Sequence, residues 1–139
     1  MVIINAENLI LGRIATVAAK KALLGEEVIV INSEKAMISG DRDIILEKYL
    51  KKWKKGIPLQ GPYVSRMPDR LMRRTIRGML PWKMQKGRDA FKRVMCYIGI
   101  PEKYKEEAAF PIEHASTEKL VNIKCFTLGE ICKLIGAKI

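Results

Sequence analysis

Histidine occurs once in the 139 residues, as His114, and cysteine three times, as Cys96, Cys125 and Cys132. A single imidazole excludes a histidine-based metal cluster. No Cys-x-x-Cys pair exists, and Cys125 and Cys132 stand seven residues apart, so a zinc site is not expected. An odd number of thiols without paired spacing suits reduced cysteines in a cytosolic protein better than a disulfide framework. No apolar run reaches the roughly 18 residues of a membrane span. The opening, Met1-Val2-Ile3-Ile4-Asn5-Ala6-Glu7, lacks the basic region and long apolar stretch of a signal peptide. Neither Gly-x-Ser-x-Gly nor a Walker loop occurs. Little is left with which to build a catalytic constellation.

What the chain does have is positive charge. Twenty-six Lys and Arg stand against 15 Asp and Glu, a formal net charge of +11. A surplus of that size speaks about partners and not about fold, and by itself it leaves nucleic acid, anionic lipid and acidic proteins open. It is not spread evenly. Residues 48 to 93 hold 15 basic residues and two acidic ones, Asp69 and Asp89, a surplus of 13, while the rest of the chain holds 11 basic and 13 acidic, a deficit of two. Concentration of the whole surplus in one third of the molecule is the footprint of a binding surface.

The apolar pattern predicts one α/β domain over residues 1–139. Val2 to Asn5 is a short strand. Leu11 to Leu24 repeats at helical spacing through Ile14, Val17, Ala18 and Leu23, with Gly25 as its stop. Val28-Ile29-Val30-Ile31 is apolar on both faces, as in a covered parallel sheet. Ala36-Met37-Ile38 is a third strand and Val94 to Ile98 a fourth. Helices are expected over Asp41–Lys55, with Asp41 and Asp43 at its positive end, over Pro68–Gly78, and over Gln85–Arg93. Thr127-Leu128-Gly129-Glu130 has the spacing of a capping box and opens a last helix that ends before Gly136.

Helical phasing sharpens the charge. Lys48, Lys51, Lys52 and Lys55 recur at i, i+3, i+4 and i+7, opposite an apolar arc of Ile45, Leu46, Tyr49, Leu50 and Trp53. Arg70, Arg73, Arg74 and Arg77 repeat the same spacing, opposite Met72, Ile76 and Met79. One such stripe can be the solvated side of an amphipathic helix. Two in succession, joined by Arg66, Lys83, Lys86, Arg88, Lys92 and Arg93, are a surface at odds with itself unless a polyanion lies against it, because like charges on one helix face repel. Arginine in the second stripe favours phosphate, which its planar fork engages through two bonds. A membrane fits less well, because the apolar arcs are needed for the core. Between the stripes lies a Gly/Pro loop, Gly56 to Tyr63. Trp53, Tyr63 and Trp82 could stack on unpaired bases or pack in the core, with Trp53 placed for the core. The loop is too long for the tight turn of a helix-turn-helix.

Arg77-Gly78-Met79-Leu80-Pro81, preceded by Arg73-Arg74-Thr75-Ile76, resembles the central signature of the ribosomal L-thirteen family of the large subunit. Gly61-Pro62-Tyr63-Val64-Ser65-Arg66-Met67-Pro68 is similar to the archaeal and eukaryotic branch of that family, as is the start without the N-terminal extension of bacterial members. Leu11-Gly12-Arg13-Ile14-Ala15, Asn32-Ser33-Glu34-Lys35-Ala36, Tyr97-Ile98-Gly99-Ile100-Pro101 and Thr127-Leu128-Gly129-Glu130 resemble further blocks in the same order. Residues 105 to 118 match least. The resemblance implies a three-layer α/β/α domain with a mainly parallel four-stranded sheet and a basic helical and loop extension. It implies binding to large-subunit rRNA beside neighbouring ribosomal proteins in the cytoplasm, a role in subunit assembly, and no catalysis, cofactor, metal or small-molecule substrate. Gly78, within the signature, joins the basic residues named above as a candidate RNA contact. The competing reading is an RNA-modifying enzyme with a nucleotide-type cofactor at the top of the sheet. Only Gly12 and Gly40 fall near strand ends there.

Overall fold

The computed structural model describes residues 1–120 and 124–138. Strand β1 (Val2–Asn5), helix α1 (Leu11–Leu23) and strand β2 (Val28–Ile31) form a crossover unit in which the two strands pair in parallel, Ile3 with Ile29 and Ile4 with Val30. All four side chains of β2 are buried, as its unbroken β-branched run requires of a central strand. Its other edge takes β4 (Val94–Cys96), also in parallel, so the sheet runs β1-β2-β4.

Ala36-Met37-Ile38 does not join that sheet. It gives a separate strand, β3 (Met37–Ser39), paired antiparallel with β5 (Cys125–Thr127). The expected four-stranded parallel sheet is therefore a three-stranded one plus a two-stranded ribbon. The reason is distance along the chain: a parallel neighbour needs a crossover of about a dozen residues or more, and only residues 32–36 separate β2 from β3. In that interval Asn32 adopts a left-handed conformation (φ 54°) and Ser33–Lys35 make a single 3-10 turn. A parallel bridge between Ile10 and Met37 links the ribbon to the segment just before α1.

The two faces of the main sheet are covered differently. Ile4, Val28, Val30, Val94 and Cys96 join α1, the helix α3 (Pro68–Met79) and the helix α4 (Gln85–Lys92) in the main core. Alanines 15, 18, 19 and 22 give α1 a flat buried side on which those helices pack. Ile3, Ile29 and Ile31, one residue out of phase, turn to the other face and are closed over by Tyr104 of a 3-10 turn, with Tyr97 against them. Three isoleucines are a small apolar area, and a tyrosine-bearing turn suffices where the expected third layer would have placed a helix. Helix α2 (Arg42–Lys54) and helix α5 (Leu128–Ile135) form a satellite core through Ile45, Ile131 and Ile135.

The end signals hold. Asp41 caps α2 by accepting from the Asp43 amide at 3.2 Å. Thr127 and Glu130 exchange both capping-box bonds at 3.2 Å. Gly136 ends α5 with φ 96°. Burial pushes the thiols of Cys96 and Cys132 up to about 12, so both are protonated, unreactive core residues.

Gly87 is the tightest point in the packing of α4. A Cβ there would lie 2.2 Å from the Pro81 carbonyl oxygen, so only glycine lets the helix close on the turn before it. In an open helix Gly→Ala stabilises by about 1 kcal/mol. Gly87→Ala is expected to do the reverse, destabilising by about 1–3 kcal/mol as an overpacked core site does. Thermal denaturation beside Lys86→Ala, an exposed neighbour on the same helix, checks the sign. A variant as stable as its parent would mean that the contact is dispensable.

Candidate nucleic-acid interface

The two stripes meet. Lys52 of α2 and Arg74 of α3 line one depression together with Tyr49, Thr75 and Gly78. Gly78 is exposed in the last turn of α3, with open space where a Cβ would stand, so the fold itself makes no demand for glycine there. Arg70, Arg73, Arg74 and Arg77 line a second depression alongside, walled by Tyr63 and Phe91. Lys48, Lys51, Lys52 and Lys55 are all exposed on α2 and its C-cap. Of their apolar counterparts only Ile45 is buried. Leu46, Tyr49 and Leu50 are half-buried, and Trp53 is 36% exposed.

Structure separates the arginines by what holds them. Arg73 donates from Nε to the Val94 carbonyl at 2.9 Å and lies 4.5 Å over the Phe91 ring. Arg77 lies 5.1 Å over Trp82, whose ring meets Phe91 edge-on at 5.2 Å. These four side chains run cation, ring, ring, cation from α3 across the turn to α4, each exposed cation–ring pair worth about 0.5–1 kcal/mol. Arg66 stacks on Trp53 at 4.0 Å and donates to the Gly136 carbonyl at 3.2 Å, tying the loop to the end of α5. Arg93 donates to the Ala22 carbonyl at 3.3 Å, at the C-terminal end of α1. Arg70 and Arg74 are exposed and make no such contact among the described residues.

The remaining candidates fall away from this centre. Lys86 lines a groove with Met79 and with Thr16 and Lys20 of α1. Arg88 is exposed and reaches the Trp82 carbonyl from Nε at 3.5 Å. Lys83 and Lys92 are exposed, and Lys92 pairs with Asp89 at 3.3 Å. The Gln85 amide and then Lys92 hold the Asp89 carboxyl below its ordinary range. Lys51 pairs with Glu47 at 2.7 Å. Those are the two ion pairs of the segment; the other 13 of its 15 basic side chains have no carboxylate within 4 Å among the described residues. Lys54, off the stripe's phase and so not singled out by sequence, is also exposed and lines the loop depression beside Trp53 and Tyr63. Arg13, at the start of α1, is engaged with the His114 carbonyl and is not a free cation.

An α/β fold with one face of cations that lack carboxylate partners among the described residues defines the class of small basic proteins. Comparison with known proteins narrows the class. Residues 1–103 match the family model "Ribosomal protein L13". The chain is 45% identical over 136 residues to "Large ribosomal subunit protein uL13" of Methanopyrus kandleri, covering 96% of this chain and 86% of the relative. It is 42% identical to the proteins of that name from Methanosarcina barkeri, over 139 residues, and Methanocaldococcus jannaschii, over 142, with 99% of each chain covered. The chain belongs to the ribosomal protein L13 family, in its archaeal-type branch. Membership makes it a structural component and not an enzyme, which decides between the two readings the sequence allowed. No helix among the described residues is long and apolar enough to cross a membrane.

Proposed function

We propose that the chain is a structural constituent of the large ribosomal subunit in the cytoplasm. It binds large-subunit rRNA through the joined face of α2, α3 and α4 and supports subunit assembly beside neighbouring ribosomal proteins. The observation that carries the reading is the set of 13 basic side chains in residues 48–93 without an acidic partner among the described residues. Cations crowded on adjacent helix faces repel one another, and the Glu47 and Asp89 pairs offset only part of that cost. RNA phosphates lined against them reverse the sign of that energy and release condensed counterions. Lys48, Lys52, Lys55, Arg70, Arg74, Arg77, Lys83, Lys86 and Arg88 are the phosphate contacts in this reading. Arg66, Arg73 and Arg93 hold the face in shape. Gly78 leaves the floor of the Lys52–Arg74 depression open for a close approach of the RNA backbone.

Sedimentation of native extract tests the proposal. The chain is expected to travel with large subunits in low salt and to leave them in high salt. A chain that remains at the top of the gradient in low salt would overturn it.

A further inference from the structure

Three aromatic side chains stand among the cations, and the structure distinguishes them by what already covers their faces. Trp53 carries Arg66 at 4.0 Å. Trp82 carries Arg77 at 5.1 Å and meets Phe91 edge-on. Tyr63 is 74% exposed and has neither a cation nor a second ring against it among the described residues.

Tyr63 is nevertheless fixed. Its hydroxyl donates to the Pro58 carbonyl at 2.9 Å. Its ring lies over Gly61, where a Cβ would meet Cδ2 and Cε2 at 3.2 Å and where φ is +75°. Gly61 thus supplies both the backbone angle and the room that seat the ring, and the loop carries a rigid aromatic plate with its hydroxyl already used. What remains available is a π-surface. Together with Arg70, Arg73, Arg74 and Arg77 it lines a depression of about 290 Å³. Two of those, Arg70 and Arg74, have no partner among the described residues.

We propose that this depression takes a single unpaired nucleotide of the bound RNA, its base against the Tyr63 ring and its phosphate on Arg70 and Arg74. The proposal rests on the reading that this face binds rRNA, and it adds which part of the RNA enters. A flat apolar plate beside unneutralised guanidiniums complements a planar base joined to a phosphate. Paired RNA cannot present that combination, because its base faces are stacked inside the helix and its major groove is too deep and narrow to enter. The volume lies just below the roughly 300–1,000 Å³ of small-molecule sites, which suits one residue of a polymer. With the hydroxyl committed to Pro58, the site selects for an unstacked base and not for its identity, since every base offers a π-face.

The test is affinity of the full chain for a transcript of the large-subunit rRNA, measured across a range of salt. Tyr63→Leu is expected to weaken binding about 5- to 150-fold, the loss of one base–aromatic stack. Its log–log salt slope should match the parent's, because no charge is removed. Tyr63→Phe, which keeps the ring, should retain most of the affinity. The inference is overturned if Tyr63→Leu binds like the parent, or if Tyr63→Phe falls as far as Tyr63→Leu. In either case binding by the parent, together with weakening by Arg70→Gln, leaves the rRNA reading standing. A parent chain that shows no salt-dependent binding would remove that reading itself.

Discussion

Affinity of the chain for a large-subunit rRNA transcript is expected to fall roughly 10³- to 10⁵-fold as monovalent salt rises from about 50 to 200 mM. The size of the fall follows from counting. Besides Arg66, Arg73 and Arg93, ten basic residues of the segment have no carboxylate partner among the described residues: Lys48, Lys52, Lys54, Lys55, Arg70, Arg74, Arg77, Lys83, Lys86 and Arg88. If about six to ten phosphates are neutralised, log K should descend against log salt with a slope of about −0.9 per phosphate. A plot of log K against log salt checks this. A slope shallower than about −2 would mean that the cations mainly keep the protein soluble and that recognition comes from elsewhere.

Arg70→Gln with Arg74→Gln should cost about 10²–10⁴-fold in rRNA affinity. Hydrogen bonds to charged groups are worth about 1.5–3 kcal/mol each, and two are lost. The salt slope should become shallower by about 1.8, two phosphates' worth. The melting temperature should stay close to the parent's, because both side chains are exposed and make no internal contact among the described residues. Arg73→Gln should behave in the opposite way. It removes the 2.9 Å bond to the Val94 carbonyl and the stack on Phe91, so it lowers thermal stability by about 1–3 kcal/mol through a partly buried carbonyl left without its donor. Paired melting and binding measurements on the two variants separate the roles. Equal loss of stability in both would mean that the stripe is uniformly structural.

How much of this was legible in the sequence depends on how far apart the interacting residues lie. The β1-α1-β2 unit could be read because period and caps are local: β-branched runs at Val2–Asn5 and Val28–Ile31 with a 13-residue helix between them. So could the Thr127–Glu130 box, whose two bonds close within three residues. The partner of β3 could not, because Cys125–Thr127 lies almost 90 residues away and a short apolar run does not say which edge it will find. Crossover length did contain a warning, since residues 32–36 are too few to return the chain in parallel. The four arginines of the stripe line one depression but differ in what they touch. At about 100° per residue Arg73 lies on the flank nearest the buried Ile76, and the flank is where Phe91 and the Val94 carbonyl take it up. Sequence gave no reason to expect an aromatic ring there. The role of Gly87 is hidden for a related reason: glycine inside a short helix hints at close packing, but the Pro81 carbonyl it accommodates is visible only in three dimensions.

Helices α3 and α4, with the turn that joins them, expose most of their cations and bury Met72, Ile76, Leu80 and Ala90 in the main core. The charged third is consequently not an arm that could be cut away or transplanted. A synthetic peptide of residues 48–93 would carry the charge without the scaffold that spaces it, and a domain lacking them would lose a wall of its interior. Any substitution that loosens α1 against α3 will shift guanidiniums as well as melting temperature. Variation in the hydrophobic interior of this chain should therefore be constrained by the spacing of its surface cations as much as by the need to fold.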